Sequence, residues 1–488
     1  MSDARITTHV KPMNRRTLLL ASATAVFGGA YAAIRIGGDT QSDGIVRIGP
    51  VADAGPSPLL ASASDFAAFR ARYRMMQIGS GHNPTIAPFD GILDAIETDA
   101  NAHWTSLNKA PGRTYLWNDS DAGTGDVNIR VCMNRLRIMS LAYASSGSAY
   151  QNNGTLLADI TAALQWLSTN RYYSGAAQTG NWYNWQIGIP LALLDTVLIL
   201  FADLPGALVT ALMDAVNYFT PVPALTAGNL VWKIHIVMLR AIIVEDTAKF
   251  DLARQELIDS IHNVTDGDGF YADGSFVQHG EYSYTGGYGM EMIYRMAGLI
   301  FLLHGSSEAL TAAEWSLART WIYNSFEPVM HKGAMMDMTR GRGMSRWNSS
   351  DHTIGHVIIW AVTLLSQVAP AADAAKFKSM VKYWVNSDTA RSFYFWDPTT
   401  PVHKVTMYNA WLANGIATSG SVTSRGEIAG NFQFPAMDRV SHKTANYTLA
   451  IAMYSNRIKN FEAINNENKR GWYTGAGMTY LYNGDVDH

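Results

Sequence analysis

The stretch "DGSFVQHGEYSYTGGYGM" (273–290) holds a histidine, three tyrosines and a Gly-Gly pair in a segment poor in helix formers. Imidazole titrates near neutrality, and a phenol shuttles a proton when neighbouring cations lower its pKa. His279 and Tyr288 are therefore candidate proton-transfer groups. Arg342 and Arg346 stand four apart in "MTRGRGMSRW" (338–347), so they share a face on a helix or converge on a loop. Two guanidiniums at one pocket attract a carboxylate or sulfate and favour a phenolate. Trp182, Tyr183 and Trp185, with Asn181, lie in "NWYNWQIGIP" (181–190) and offer a stacking wall. Two further polar stretches, "TAGNLVWK" (226–233) and "NNENKRGWYTG" (465–475), complete the set. Taken singly, each has an ordinary structural explanation: lone histidines are mostly structural, Trp-Tyr-x-Trp runs mostly core, arginine pairs mostly solvated. Their joint presence is what points to a site.

The elements that must position these groups belong to a large globular chain. It has 488 residues, 48% apolar and 16% charged, with a net charge of -3. That balance gives no global attraction to nucleic acid or anionic lipid, so a polyanionic ligand needs locally placed arginines. The single cysteine, Cys132, excludes an internal disulfide framework and a Cys-rich metal site. No metal or cofactor is expected. The 14 tryptophans and 23 tyrosines supply flat faces of the kind sugar rings stack on.

Residues 1–35 read as an export signal. "MNRRTLLLASATAVFGGAYA" carries the twin pair Arg15-Arg16, an apolar run and the small-x-small pattern Ala30-Tyr31-Ala32. A membrane anchor is the alternative, but the run is short and rich in Gly and Ala. Apolar residues recur at helical spacing from about 60 to 395, and several segments are apolar nearly all round. This predicts helical hairpins building an incomplete α/α toroid over 50–400. "KVTMYNAWLAN" is ambiguous. Beyond it, segments rich in Thr, Tyr, Asn and Gly predict the start of an antiparallel β-sandwich over 415–488, too few strands to be complete. The fold class is α+β multidomain.

These stretches resemble the polysaccharide lyase family of hyaluronate lyase, chondroitin AC lyase and xanthan lyase. "NWYNWQIGIP" is similar to its NWWDWEIG-type segment, "DGSFVQHGEYSYTGGYG" to its DGSF-QH-Y-YTGGYG segment, and "RGRGMSR" to its RGR-x-x-SR segment. "MDRVSHK" and "INNENKRGWYTGAGMTYLYN" resemble parts of its β domain, so the likeness runs over about 60–485. It implies an eliminase on a 4-linked uronic acid in an acidic polysaccharide; with the export signal the expectation is a secreted monomer with no nucleic-acid or membrane partner after signal removal. Asn229, 50 residues before His279, would hold the uronate carboxylate. His279 or Tyr288 would take the C5 proton, and Tyr288 would protonate the leaving oxygen. Arg342 and Arg346 would bind acid groups and poise the tyrosine, with Glu467 orienting them from the β domain. Tyr282 and Tyr284 would pack or line the cleft. Two departures stand out: Asn184 and Gln186 occupy positions where relatives commonly carry acids. A non-catalytic carbohydrate-binding relative and a glycoside hydrolase are the competing readings. The latter needs two acids flanking the scissile bond, and no such pair stands out.

Overall fold

A helix with one apolar stripe needs cover on one side, whereas one apolar all round needs it everywhere. The computed structural model describes residues 63–120, 125–394 and 406–485, and its helices sort by that rule. They are α1 (Ala63–Ile78), α2 (Phe89–Ser106), α3 (Asp126–Ala144), α4 (Gly154–Asn170), α5 (Ile189–Ile199), α6 (Gly206–Phe219) and α7 (Ala227–Val244). There follow α8 (Thr247–Asp259), α9 (Met290–Leu303), α10 (Ser316–Trp321), α11 (Asp351–Val368), α12 (Ala371–Ser387) and α13 (Met407–Thr418). Helix α5 is buried along its whole length, and α7, α9 and α11 nearly so. By contrast α4 buries Leu156, Ile160, Ala163, Leu164 and Leu167, and α8 only Phe250, Ala253 and Leu257, each a single stripe. The inner layer runs α3 on α5, α5 on α7, α7 on α9 and α9 on α11. Helices α2, α4, α8 and α12 cover it from outside, each against its sequence neighbour. Helices α1 and α13 pack on each other and on this layer. The result is the expected α/α toroid. Helix α7 is long and apolar enough to cross a membrane, yet it is mostly buried and serves as core.

Where the inner helices meet, the core is polar. Asp195 accepts from the Tyr73 hydroxyl at 2.6 Å and from Arg137 Nε at 2.6 Å, and Arg137 Nη2 reaches Gln77 at 3.1 Å. With His235 and Arg295 these groups line a cavity of about 40 Å³. Burial pushes the Tyr73 phenol up and holds His235 neutral.

The helical part extends past the expected boundary at 400. The ambiguous segment is α13: the Thr406 side chain caps it by accepting from the Asn409 amide, and its apolar residues wrap most of the circumference. The sheet therefore starts at Gly430 rather than near 415. Two small antiparallel sheets lie within the toroid's loops: β1 (Gly269–Phe270), β2 (Phe276–Gln278) and β3 (Tyr282–Ser283), then β4 (Met330–His331) and β5 (Ala334–Met335). The larger sheet is antiparallel in chain order, β6 (Gly430–Phe434), β7 (Arg439–Lys443), β8 (Thr448–Ala452) and β9 (Met478–Tyr482), with Ser441 opposite Ala450 and Ala450 opposite Tyr480. Its buried face on β7 is polar. Arg439 donates to the Met338 carbonyl at 2.7 Å, Ser441 to that of Pro328 at 2.9 Å, and Lys443 pairs with Glu427 at 2.7 Å. The sheet is thus fastened to the toroid by directional bonds, while β9 exposes Met478 and Leu481. The export-signal reading of 1–35 lies outside the described residues.

Replacing Asp195 by Ala removes the carboxylate from a buried arginine. The expected loss is about 3 kcal/mol or more, read as a lowered urea midpoint. Asp195→Asn, which keeps the shape, loses less.

Candidate active site

Asn229 sits in the first turn of α7, not in a loop: Thr226 is extended and the Asn229 amide bonds the Thr226 carbonyl at 3.1 Å. Its side-chain amide is half-buried and has no protein partner among the described residues. Gly228 is required beside it. A Cβ there would lie 2.9 Å from the Tyr288 carbonyl oxygen and 3.0 Å from Tyr288 Cβ, so only glycine lets α7 approach the tyrosine. Asp268 then sets the register between α7 and the histidine turn. Its carboxylate accepts from Thr226 Oγ1 at 2.9 Å, Gln278 Nε2 at 2.6 Å and the Gly280 amide at 2.6 Å. Between those anchors His279 takes a φ of +55°, a left-handed conformation costly for a non-glycine residue.

His279 is oriented through its other side. Nδ1 lies 2.5 Å from Glu462 Oε1, so the carboxylate holds the proton on Nδ1 and leaves the Nε2 lone pair outward. Nε2 has no partner among the described residues. Glu462 also accepts from the Tyr284 hydroxyl and, at 2.6 Å, from Arg342 Nη1. Burial raises its carboxyl, but the hydrogen bonds from His279, Tyr284 and Arg342 outweigh that and bring it down to about 2. Burial raises the Tyr284 phenol strongly, so Tyr284 is a fixed neutral donor, not a proton shuttle. Its ring fits against Gly341, whose φ is +53° and where a Cβ would lie 2.1 Å from the ring. The Tyr288 ring stands 5.0 Å from that of His279 and 5.1 Å from that of Tyr284, edge to face. Its hydroxyl accepts from Arg342 Nη2 at 3.2 Å.

The two arginines converge, Arg342 from a short helical turn (Gly341–Ser345) and Arg346 from the extended residue that ends it, but onto a protein carboxylate. Glu467 accepts from Arg342 Nε at 2.7 Å and from Arg346 Nε and Nη2 at 2.7 and 2.9 Å. Arg342 is held by Glu462, Glu467, Tyr284 and Tyr288, so it orients the tyrosine and is not open to a substrate acid; Arg346 is the more exposed. The loop carrying both glutamates has Asn465, Asn466 and Asn468 in left-handed conformation, which asparagine tolerates.

The aromatic wall is shorter than expected. Trp185 is 3% exposed, stacks with Tyr172 and packs on Phe219, and donates to the Thr179 carbonyl at 2.6 Å. It is core, because the π-helical turn Asn184–Gly188 swings it inward. Trp182 is 43% exposed and Tyr183 half-buried, and rings run Trp182, Tyr183, Trp232, Tyr288 at spacings of 6.5, 5.3 and 5.8 Å. Exposed Asn181 is held by its backbone N–H, which donates to Asp126 Oδ2 at 2.6 Å. Asn184 is buried and donates to the same carboxylate at 2.9 Å. Sequence reasoning missed Glu462, Asp268 and the structural role of Tyr284. The only hint of Glu462 was a second acid five residues before Glu467. Among the described residues no three His, Cys, Asp or Glu side chains are grouped to hold a metal ion.

Residues 74–383 match the polysaccharide lyase family 8 N-terminal alpha-helical domain, and 429–488 match that family's super-sandwich domain. The chain belongs to polysaccharide lyase family 8. Within family 8 it is 40% identical over 441 residues to a xanthan lyase of Bacillus sp. (strain GL1), covering 88% of this chain and 46% of that one. It is 32% identical over 455 residues to a hyaluronate lyase of Thermasporomyces composti, covering 91% and 57%. Among solved structures, a Paenibacillus xanthan lyase superposes with a TM-score of 0.82 at 38% identity, over 87% of this chain and 40% of that one. The Streptomyces coelicolor A3 chondroitin AC lyase, in complex with chondroitin sulphate, gives 0.79 at 32% identity, over 86% and 57%. The chain spans about half the length of these relatives.

Glu462→Gln in this family 8 chain keeps the side-chain shape and removes the charge. A carboxyl whose folded value is depressed stabilises fully above its ordinary 4.5, and that stability is lost as pH falls toward about 2. The expected outcome is a lower melting temperature at pH 7 and a shallower fall between pH 4.5 and pH 2 than in the parent. Parallel curves for the two proteins would remove Glu462 from that role.

Proposed function

We propose that this chain cleaves a 4-linked uronic acid glycosidic bond in an acidic polysaccharide by β-elimination, after export through the twin-arginine signal read in 1–35, acting as a monomer. The observation that carries it is the grouping of two oriented proton-transfer groups beside an unpartnered amide. His279 Nε2 is left free because Glu462 holds Nδ1, Tyr288 receives an Arg342 N–H, and Asn229 follows Gly228, which lies against Tyr288, on a helix start that Asp268 ties to the histidine turn. In this reading the Asn229 amide hydrogen-bonds the uronate carboxylate and stabilises charge that moves into it when the C5 proton leaves. His279 Nε2 takes that proton. Tyr288 gives its own to the C4 oxygen as the C4–O bond breaks, and a C4–C5 double bond remains. No step requires a second carboxylate flanking the bond or an activated water.

The Arg342 contact favours one variant. A guanidinium donating to the phenolic oxygen stabilises a phenolate, and Tyr288 would then act as base and acid in turn. The candidate polymers are hyaluronan, chondroitin and the xanthan side chain: relatives named hyaluronate and chondroitin AC lyase favour the first two, and the xanthan lyase at 40% identity favours the third.

The test is a screen of the three polymers, following ultraviolet absorbance of the unsaturated product and reducing ends in parallel. Absorbance should rise with reducing ends; reducing ends alone would mean hydrolysis. Tyr288→Phe should lose about 10²- to 10⁴-fold in rate. On a uronide whose 4-oxygen leaves as an aryl phenolate, acid help is dispensable. Recovery of the mutant there assigns Tyr288 as acid alone, and no recovery assigns both steps to it.

A further inference from the structure

Lys233 is 8% exposed, yet among the described residues the one hydrogen-bond partner of its ammonium is a neutral amide, Gln186 Oε1 at 2.8 Å. Among the described residues no carboxylate lies at ion-pair distance from it. Burial lowers its pKa, with no anion opposing the effect. A second cation, half-buried Arg130, lies on the same wall. The stem of Arg130 packs near Tyr183, since a Cβ on Gly188 would meet both Arg130 Cδ at 2.6 Å and the Tyr183 ring at 3.3 Å. Arg130 Nε is buried without a partner, and Arg130 makes no ion pair among the described residues. A desolvated cation is costly unless an anion reaches it.

The placement is at the cleft. Lys233 stands one helical turn after Asn229 on α7, so the two share a face, and helical side chains lean back toward the N-terminus. Its Nζ lies 6.0 Å from the ring of Trp182, the exposed end of the aromatic row that leads away from Tyr288. A ligand group there belongs to a sugar neighbouring the one at the proton relay.

We propose that Lys233, assisted by Arg130, forms an anion subsite for a second acidic group, a sulfate ester or a carboxylate, on the sugar next to the uronate received by Asn229. The identity of the ligand as an acidic polysaccharide rests on the lyase reading above.

Titration calorimetry on the full chain tests it, comparing the parent with Lys233→Met and Gln186→Glu. The probes are chondroitin sulfate oligosaccharides before and after desulfation, and xanthan oligosaccharides before and after removal of their pyruvate ketals. The first pair reads sulfate and the second carboxylate. The parent should prefer the acid-bearing member of at least one pair by about tenfold. Both variants should lose that preference, because glutamate at 186 supplies Lys233 with a carboxylate from within while keeping volume and fold. No preference in the parent, or an unchanged preference in both variants, overturns the subsite. The lyase reading fails separately, through absence of an ultraviolet-absorbing product from every polymer while the binding preference persists.

Discussion

The site depends on one buried carboxylate. Glu462 comes from the loop between β8 and β9, and among the described residues the donors to its carboxylate all belong to the toroid: His279, Tyr284 and Arg342. Without it the imidazole loses the partner that fixes its tautomer, the Tyr284 hydroxyl loses its acceptor, and one arm of Arg342 is left unpaired. An unpaired buried guanidinium is among the most costly defects a fold can carry. The sheet and the toroid are therefore joined at the same atoms that organise the chemistry. That is why the polar inner face of β7, with Arg439, Ser441 and Lys443, matters for function: it fixes the sheet from which the Glu462 loop extends.

A second carboxylate solves a different problem. Asn229 and His279 come from elements 50 residues apart in sequence. Asp268 binds Thr226 at the start of α7 and both Gln278 and Gly280 around the histidine, so the two groups share a single reference point. Gly228 then lets the backbone of α7 close on Tyr288. Helices supply rigid placement, short turns supply the reactive groups, and carboxylates lock the turns to the helices.

The helical architecture was legible because long segments that are apolar all round leave few alternatives to a two-layer arrangement. Residues 407–418 were not, since Tyr, Asn, Trp and Gly suit a strand as well as a helix, and only the Thr406 cap and surrounding contacts decide. His279, Tyr288, Asn229 and the arginines stood out by type and by resemblance, and the structure brings them together. Trp185 misled because an aromatic run does not encode which way a π-helical turn will rotate each ring. Glu462 and Asp268 were invisible for a related reason: an acid's role is set by distant donors, here 183 residues away for His279, and local sequence carries no trace of them. The expectation that Arg342 greets a substrate acid overlooked the two glutamates that reach it first.

The proposed ligand path follows the division between satisfied and unsatisfied polar groups. Around the site, Glu462, Glu467, Asp268, Tyr284 and Arg342 each have protein partners in full hydrogen-bonding range. Among the described residues the side chain of Asn229 and the Nε2 of His279 have none, and the Lys233 ammonium has only an amide. Part-buried polar groups without a protein partner bond water, which a ligand's polar groups can replace. The satisfied set is held in place before any ligand arrives, so little reorganisation is needed when charge develops. The unsatisfied set traces a path from the proton relay along the Trp232, Tyr183 and Trp182 rings. Under the proposed reading, an extended chain of rings bearing acid groups along its length fits that path, whereas a single small acid would complete one end and leave the other uncompensated.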